Sequence, residues 1–428
     1  MTLVLFDGTN RNSFYPISLT RALFDLKIGC KTSFEHFSQQ PLKLLTEGYL
    51  EDITRTRHGS MKVNNWGYDK DDIYLNSLFI IKESKIRELS KRNDPFVLKN
   101  EGTILAARIN QKDSEYIRDS LINGKGIGAR QLEADKIEVD NIEDLGTFFD
   151  NIWCLTSNSP RILASQLMEM SKDITKKEDL NLTARREKVR GNGPLYVHDN
   201  CSVDDEVVLD TTDGAIWIDE GAEIVQSTIY GPAFIGKDTK LKPYSIVSNS
   251  HIGKNCRIAG EVDSSTVSDY SNKSHAGYIG HSFIGEWVNI GANTSTSDLK
   301  MTYGNISVST YREREKIDTG LIKLGSFFGD MVKTSIGTNI YGGLQLGIAS
   351  HLHGIVTQDV PSFVIYGQGI GAENVEMDLE SAIRTQERMM SRRDMEITPE
   401  YEKLIRLLFK NTSDDRLRKG ISSKKFRL

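Results

Sequence analysis

From about Pro194 onward, aliphatic residues recur every six positions, usually followed by glycine or a small or acidic residue. Ile218 opens IDEGAE, and Ile224 follows. Ile235 opens IGKDTK, and Leu241 follows. Ile252 opens IGKNCR, and Ile258 follows. Ile284 opens IGEWVN, Ile290 opens IGANTS, Ile336 opens IGTNIY and Leu346 opens LGIASH. Neither a helical period of 3.6 nor a strand period of 2 explains steps of six. Short internal repeats of this kind wind a chain into a solenoid. The physical expectation is a three-sided coil. Each hexad makes one flat side, its aliphatic residue fills the interior, and the small residue after it lets the chain turn. Glycine usage agrees, with 24 of the 35 glycines lying between Gly191 and Gly371. The hexads lapse at residues 263–276 and 298–323, and such interruptions in solenoids map to loops on one face.

The first half has a different grammar. Its short apolar runs TLVLFD (2–7) and DIYLNSLFII (72–81) read as buried strands. Residues 95–98 and 103–107 suit a hairpin, and residues 114–123 suit a helix. Strands mixed with helices favour a layered α/β sheet. Residues 160–177 carry Ile162, Leu163, Leu167, Met170 and Ile174 at helical spacing and read as a connecting helix. The polar stretch 178–192 reads as a linker. The expected organisation is an α/β domain over 1–158, helix and linker over 159–192, the coil over 193–373, helices over 374–412 and a solvated basic tail over 413–428. Four scattered cysteines form no C-x-x-C pair, and no eighteen apolar residues run together, so a redox motif, a zinc ribbon and a membrane-spanning helix are not expected. A net charge of −5 provides no nucleic-acid or membrane field. The expected compartment is the cytoplasm.

The sixfold pattern resembles the hexapeptide-repeat family, which implies a left-handed parallel β-helix. Within it, residues 260–303 (GEVDSSTVSDYSNKSHAGYIGHSFIGEWVNIGANTSTSDLKMTY) resemble the acetyltransferase half of bifunctional N-acetylglucosamine-1-phosphate uridyltransferases. That resemblance implies acetylation of an amino-sugar-1-phosphate by acetyl-CoA. An amine must lose a proton to attack a thioester, and histidine titrates near the working pH. By the resemblance, His275 is the base and Glu261 orients it. Tyr278, Asn289, Lys242 and Asp298 fall at positions that contact the sugar phosphate. Lys242 stands where the family has Arg, Asp298 where it has Asn, and Asp263 where it has Lys. Two acids therefore replace groups that would suit an anionic substrate.

Acetyl-CoA in this fold lies along neighbouring coils, and the small residues Ser335, Gly337, Gly347 and Ala349 could admit it or serve as ordinary turns. His351 and His353 share one side of an extended chain, with no third metal ligand nearby in sequence. The opening segment LVLFDGTNR, followed by FYPISLTRALFDLKIG, loosely resembles the nucleotide-binding loop of sugar nucleotidyltransferases. The resemblance implies that Asp7, Gly8, Thr9, Arg11 and Arg21 bind the nucleotide, with Mg²⁺ for the transfer. The same residues could form a plain turn. Ile17 replaces the family's Lys, and neither Asp140 nor Asp150 is singled out as a metal ligand. The expected protein is a bifunctional acetyltransferase and UTP- or dTTP-dependent nucleotidyltransferase, working as a homotrimer on small molecules. A nucleotidyltransferase with a purely structural β-helix, and a non-catalytic scaffold, are the alternatives.

Overall fold

The computed structural model describes residues 1–8, 11–174, 189–311 and 315–427. The first domain is built on β1 (Thr2–Phe6), β2 (Leu42–Leu45), β3 (Lys62–Val63), β4 (Asp72–Asn76), β5 (Phe96–Asn100), β6 (Thr103–Arg108) and β7 (Asp135–Glu138). They form one sheet in the order β7-β5-β6-β4-β1-β2-β3. β1 pairs in parallel with β2 and β4 on either side. That central place explains its unbroken apolar run, since both faces of the sheet are covered. The expected hairpin forms as β5 and β6. The expected helix runs over Gln111–Ile122, starting earlier because the Asn110 side chain caps it by accepting from the Asp113 amide. The run 72–81 is two strands rather than one. Asn76 Oδ1 accepts from the Leu78 amide at 3.0 Å and turns the chain, and Phe79–Ile81 leaves to pair with Gly146–Phe148.

The second half is the expected parallel β-helix. Six strands from Val189–Arg190 to Tyr278–Gly280 stack on a first face, continued by Ser295–Thr296, Asn339–Ile340 and Ile355–Val356. Eight strands from Leu195–Val197 to Gln345–Leu346 make the second face. The third runs from Ser202–Val203 to Asn272–Lys273 and resumes at Lys333–Thr334. Ile218, Ile224, Ile235, Leu241, Ile252, Ile258, Ile284, Ile290 and Leu346 are all buried in its interior.

Three sequence expectations change. Ile336 is 78% exposed at a corner, and the inward residues there are Thr334 and Ile340, themselves six apart. The lapse at 263–276 is no loop, because Thr266–Val267 and Asn272–Lys273 stay in register with their neighbours. Only the second lapse leaves the coil, as an antiparallel hairpin of Ser307–Ser309 and Lys316–Asp318. Val189–Arg190, assigned to the linker, is already the first rung, while residues 175–188 lie outside the described residues.

The N-terminal domain lies across the second face. Phe283 and Phe327 pack there against Phe14, Leu23, Leu26 and Phe149. Leu163 and Leu167 of the helix Ser159–Ile174 cover Ala215. The helices Leu379–Ser391 and Pro399–Asn411 cover the next corner, where Trp287, Met331, Ala349 and Phe363 meet Ile383, Leu404 and Leu408. The tail is not simply solvated. Ser413–Arg418 is helical, and Arg416 is buried, bonded to Glu376 at 2.6 Å, with its guanidinium 4.3 Å from the Phe409 ring centroid. Among the described residues no helix is long and apolar enough to cross a membrane.

An ion cluster, buried at Arg21 and Asp330, fastens the two domains. Arg21 donates to Asp330 at 2.5 Å and to Glu286 at 3.1 Å, and Arg57 donates to Glu286 at 2.9 Å. Thr20 donates to Asp330 at 2.7 Å. Burial opposes charge on Glu286, but Arg21 and Arg57 outweigh it and hold its carboxyl well below the usual range. Arg21→Met strands the Asp330 carboxylate and should lower the unfolding free energy by roughly 3–5 kcal/mol. Urea unfolding of Arg21→Met and of the double variant with Asp330→Leu measures this. The double variant should recover part of the loss, and an undiminished loss would show that the pairing is not its source. The Glu286 contribution is complete above its unfolded pKa of about 4.3 and is lost as pH falls through its depressed value.

Candidate active site

The corner where the third face passes to the first is built by stacking. The Lys242 amide donates to Ile258 O, and the Ala259 amide donates to Lys273 O. Further on, Asn293 donates to Ala276 O and Gly337 to Ala292 O. This ladder puts Lys242, His275, Ser335 and Gly337 on one edge. Asn289 borders it, accepting from Asn272 at 2.7 Å, and Asn272 in turn accepts from Ser274 at 2.6 Å. Lys242 and His275 are exposed. The remaining acyl-donor candidates are elsewhere. Gly347 lies where a Cβ would stand 2.2 Å from the Ser362 amide nitrogen, and Ala349 is packed beneath the C-terminal helices. Neither can admit a ligand, because the second-to-third corner is closed by protein.

The expected catalytic pair is not assembled. Glu261 sits one coil below Tyr278, exposed, and makes no hydrogen bond or ion pair with His275 among the described residues. What braces this corner is Lys273, which sequence reasoning missed. It takes an inward position in line with Ile258. Its ammonium donates to Ala259 O at 2.6 Å, Gly277 O at 2.8 Å and His275 O at 3.2 Å. Burial lowers its pKa to about 8. The carbonyls of Ala259 and His275 are thus satisfied from inside the coil, and Gly277 O, which already accepts from the Glu261 amide at 3.1 Å, gains a second donor.

Tyr278 and Asp298 belong to a second cluster at the other end of the same strand. The Tyr278 ring lies flat over Gly280, where an added Cβ would come 2.1 Å from its hydroxyl oxygen. That hydroxyl donates to Asp298 Oδ2 at 2.8 Å, and His281 Nδ1 lies 2.7 Å from the same oxygen. Burial raises the Asp298 pKa, but the bonds from His281 and Tyr278 outweigh it and hold the carboxyl low. Asp263, one coil below, accepts from Ser248 at 2.7 Å. The two acids that seemed hostile to an anionic substrate are therefore already hydrogen-bonded. His281 was also missed. Its signal was a histidine in the corner slot between two hexads, with an acid one coil later at the same corner.

The N-terminal loop is committed internally. Asp7 is fully buried at the end of β1. It accepts from Arg11 at 2.6 Å, from Thr46 at 2.6 Å and from the Leu23 amide at 2.6 Å. Arg11 also donates to the carbonyls of Arg21, at 2.6 Å, and Ser18. Burial disfavours its charge, but Tyr49, Asp7 and Glu47 outweigh this and raise its pKa. Gly8 packs on Asn76, 2.9 Å from a would-be Cβ. Arg21 is spent on Asp330 and Glu286. Both arginines therefore act as struts rather than free phosphate ligands. Thr9 lies outside the described residues. Beside this loop is a cavity of about 360 Å³, lined by Arg11, Glu47, Tyr49, Tyr311 and Asn411 among others.

Metal sites are equally spare. Among the described residues no three His, Cys, Asp or Glu side chains gather to hold an ion. Asp140 and Asp150 are exposed and do not line the cavity. Asp7 is locked and Glu47, which lines the cavity, pairs with Arg11 at 3.8 Å, so the residues do not make a ready Mg²⁺ centre. His351 is half-buried, desolvation pushing its pKa down to about 3, and His353 stacks on Phe426 at 5.3 Å.

Residues 3–172 match the family model described as Sugar nucleotidyl transferase, which marks the first domain as nucleotidyltransferase-like. The chain is 34% identical over 157 residues to a bifunctional sugar-1-phosphate nucleotidylyltransferase/acetyltransferase of Sulfurisphaera tokodaii, covering 34% of this chain and 38% of that protein. It is 31% identical over 152 residues to the bifunctional protein GlmU of Methanocaldococcus jannaschii, covering 35% of each. The matched stretch thus spans well under half the length of these curated relatives. Among solved structures, the UDP-N-acetylglucosamine acyltransferase of Francisella novicida aligns with a TM-score of 0.33 at 14% identity, over 54% of this chain and 78% of that one.

Arg11→Ala should destabilise the first domain by roughly 3–5 kcal/mol, because it abandons a buried carboxylate. Chemical denaturation checks this, and a loss under about 1 kcal/mol would mean that Asp7 is not held as described. Gly280→Ala should lift the Tyr278 ring and cost roughly 1–3 kcal/mol. The same variant in a Tyr278→Phe background should cost less, since the hydroxyl oxygen at 2.1 Å is the nearest collision, with ring carbons at 2.4 and 2.7 Å keeping part of the cost.

Proposed function

We propose that this chain, whose first domain is of nucleotidyltransferase type, is a bifunctional sugar-nucleotide enzyme. Its β-helix would transfer an acetyl group from acetyl-CoA to the amine of an amino-sugar-1-phosphate resembling glucosamine-1-phosphate. Its first domain would join a sugar-1-phosphate to UTP or dTTP with release of pyrophosphate. The observation that carries the acyl-transfer half is the uncovered first face, with a histidine at each end of one strand, His275 before it and His281 after it. The second face and the second-to-third corner, by contrast, are covered by protein.

The chemistry asks for three things. The acceptor amine must be neutral, a base must be near, and the thioester must lie within reach along the coils. His275, Ser335 and Gly337 on one edge give a line along which an extended acyl donor could lie, with backbone N–H groups near its carbonyl. Lys242, on the same edge, offers positive charge to the sugar phosphate, as a point charge rather than a fork. The first face also keeps Tyr230, Ile246, Tyr341 and Ile355 between 40% and 51% exposed. Such residues suit burial against further copies of the chain, in support of a homotrimer that completes the site.

Nucleotidyl transfer is supported by the family match and by the cavity at the ends of β1 and β2. No step is assigned to Mg²⁺, since the carboxylates there do not assemble a centre for it.

Two assays test the halves separately. Thiol release from acetyl-CoA should depend on added glucosamine-1-phosphate or another hexosamine-1-phosphate. Pyrophosphate release should depend on a sugar-1-phosphate with UTP or dTTP. Thiol release without pyrophosphate release would leave the first domain as a docking module, and the reverse would leave the β-helix as scaffold.

A further inference from the structure

Resting on the nucleotidyl transfer proposed above, we propose that the base of the nucleotide is held between the two halves of the chain. Asn411, at the end of the helix Pro399–Asn411, reads its edge, and Tyr311 of the 298–323 insertion forms part of its aromatic wall. The cavity beside the loop after β1 is lined from both sides. The first domain supplies Asn12, Tyr15 and Tyr49, and the C-terminal half supplies Tyr311, Leu408 and Asn411. Its volume of about 360 Å³ falls within the range of small-molecule sites, roughly 300–1,000 Å³. The first domain by itself would present only one wall of it.

The lining selects the part of a nucleotide that fits. All three tyrosine hydroxyls are already engaged. Tyr311 donates to Asp415 at 2.8 Å, Tyr49 donates to Leu19 O at 3.1 Å, and the Tyr15 hydroxyl lies 3.4 Å from the Ser362 hydroxyl. What the cavity offers is therefore their rings. Tyr15 and Tyr311 are stacked across the two halves, with centroids 4.0 Å apart and planes within 10°. Aromatic rings suit a flat heterocycle, which stacks, better than a sugar, which asks for hydroxyl partners. The polar groups left over are the amides of Asn12 and Asn411, one from each half. Both are exposed at the rim and bonded through their side chains to no other residue among the described ones. An amide carries a donor and an acceptor side by side, the pattern that matches the edge of a base.

The charges point the same way. Arg11 lines the cavity, but its guanidinium is spent on Asp7 and on backbone carbonyls. Glu47 stands 3.8 Å from it. The helix Pro399–Asn411 ends here and brings the negative end of its dipole. A phosphate would meet a carboxylate and carbonyls with no cation to spare, whereas the N–H groups of a base would meet acceptors. The triphosphate is therefore left outside this cavity and the base inside it.

The full chain is assayed for pyrophosphate release from UTP, dTTP and CTP with a panel of sugar-1-phosphates. Uracil and thymine carry an oxygen acceptor where cytosine carries an amino donor. Asn411→Asp keeps the size of the side chain but can only accept. It should cut the preference for UTP over CTP by about tenfold or more, the scale of one hydrogen bond lost. A residue that only braces the helix end would lower kcat/KM for both nucleotides alike. Tyr311→Leu should raise KM for UTP about tenfold with kcat little changed, on the scale of one stacking contact. Tyr311→Phe should recover most of that, because the ring is what the base meets. Saturation-transfer NMR of the wild type with UTP needs no variant, and its signal should be stronger on the base protons than on the ribose. An unchanged ratio of UTP to CTP in Asn411→Asp, an unchanged KM in Tyr311→Leu, or saturation centred on the ribose overturns the shared base pocket while nucleotidyl transfer stands. UTP held by its base with no pyrophosphate released from any nucleotide overturns the transfer and supports the pocket. No bound nucleotide and no pyrophosphate release overturns both.

Discussion

Each coil of the prism depends on the coil beneath it. Its inward aliphatic residue is buried only if a neighbour stacks on it, and its backbone N–H and C=O groups are satisfied only by the rungs on either side. A six-residue step with an aliphatic at its head meets both demands at once. The same constraint confines variation to the corners. A strand cannot lengthen without breaking two ladders, but a corner can carry any side chain and can release a long insertion. The hairpin of Ser307–Ser309 and Lys316–Asp318 departs from a corner for this reason, and His275, His281 and Asp298 all stand at corners.

The interior tolerates one exception that shows how strict the rule is. Lys273 occupies an inward place, yet its ammonium turns to the corner and bonds three carbonyls rather than resting among aliphatic groups. A buried ammonium is costly unless its donors are used. Here they are used on the backbone segment that carries His275, so the energetic demand of one buried charge shapes the exposed edge next to it.

Docking of the first domain decides what that domain can still do. Arg11 and Arg21, expected from the resemblance to bind the nucleotide, are turned inward. Arg11 neutralises Asp7, and Arg21 neutralises Asp330 and Glu286 across the interface. Once an arginine is desolvated against a carboxylate it holds its charge and its place, and a passing phosphate cannot compete for it cheaply. The domain keeps its sheet and a cavity at the strand ends, but its strongest cations have become joints. It covers the second face and leaves the first and third faces open.

Much of this was legible in the chain of residues. The period of six specified a three-sided coil, because burial of an aliphatic at every sixth place has no other regular solution, and the buried run of β1 specified a parallel sheet. The slip at Ile336 came from the eye following I-G instead of the burial phase, which Thr334 and Ile340 carry. Local pattern also brought His275 and the Lys242 and Ser335 positions to one edge, since stacking follows from repeat counting. It could not say where side chains point. Whether Glu261 reaches His275, whether Tyr278 leans toward His275 or lies over Gly280 to meet Asp298 and His281, and whether Arg21 faces a nucleotide or Asp330 are settled by contacts between residues far apart in the chain. Such contacts depend on rotamers, on which face a second domain covers and on how buried charges find partners, and none of these has a period that a sequence can display.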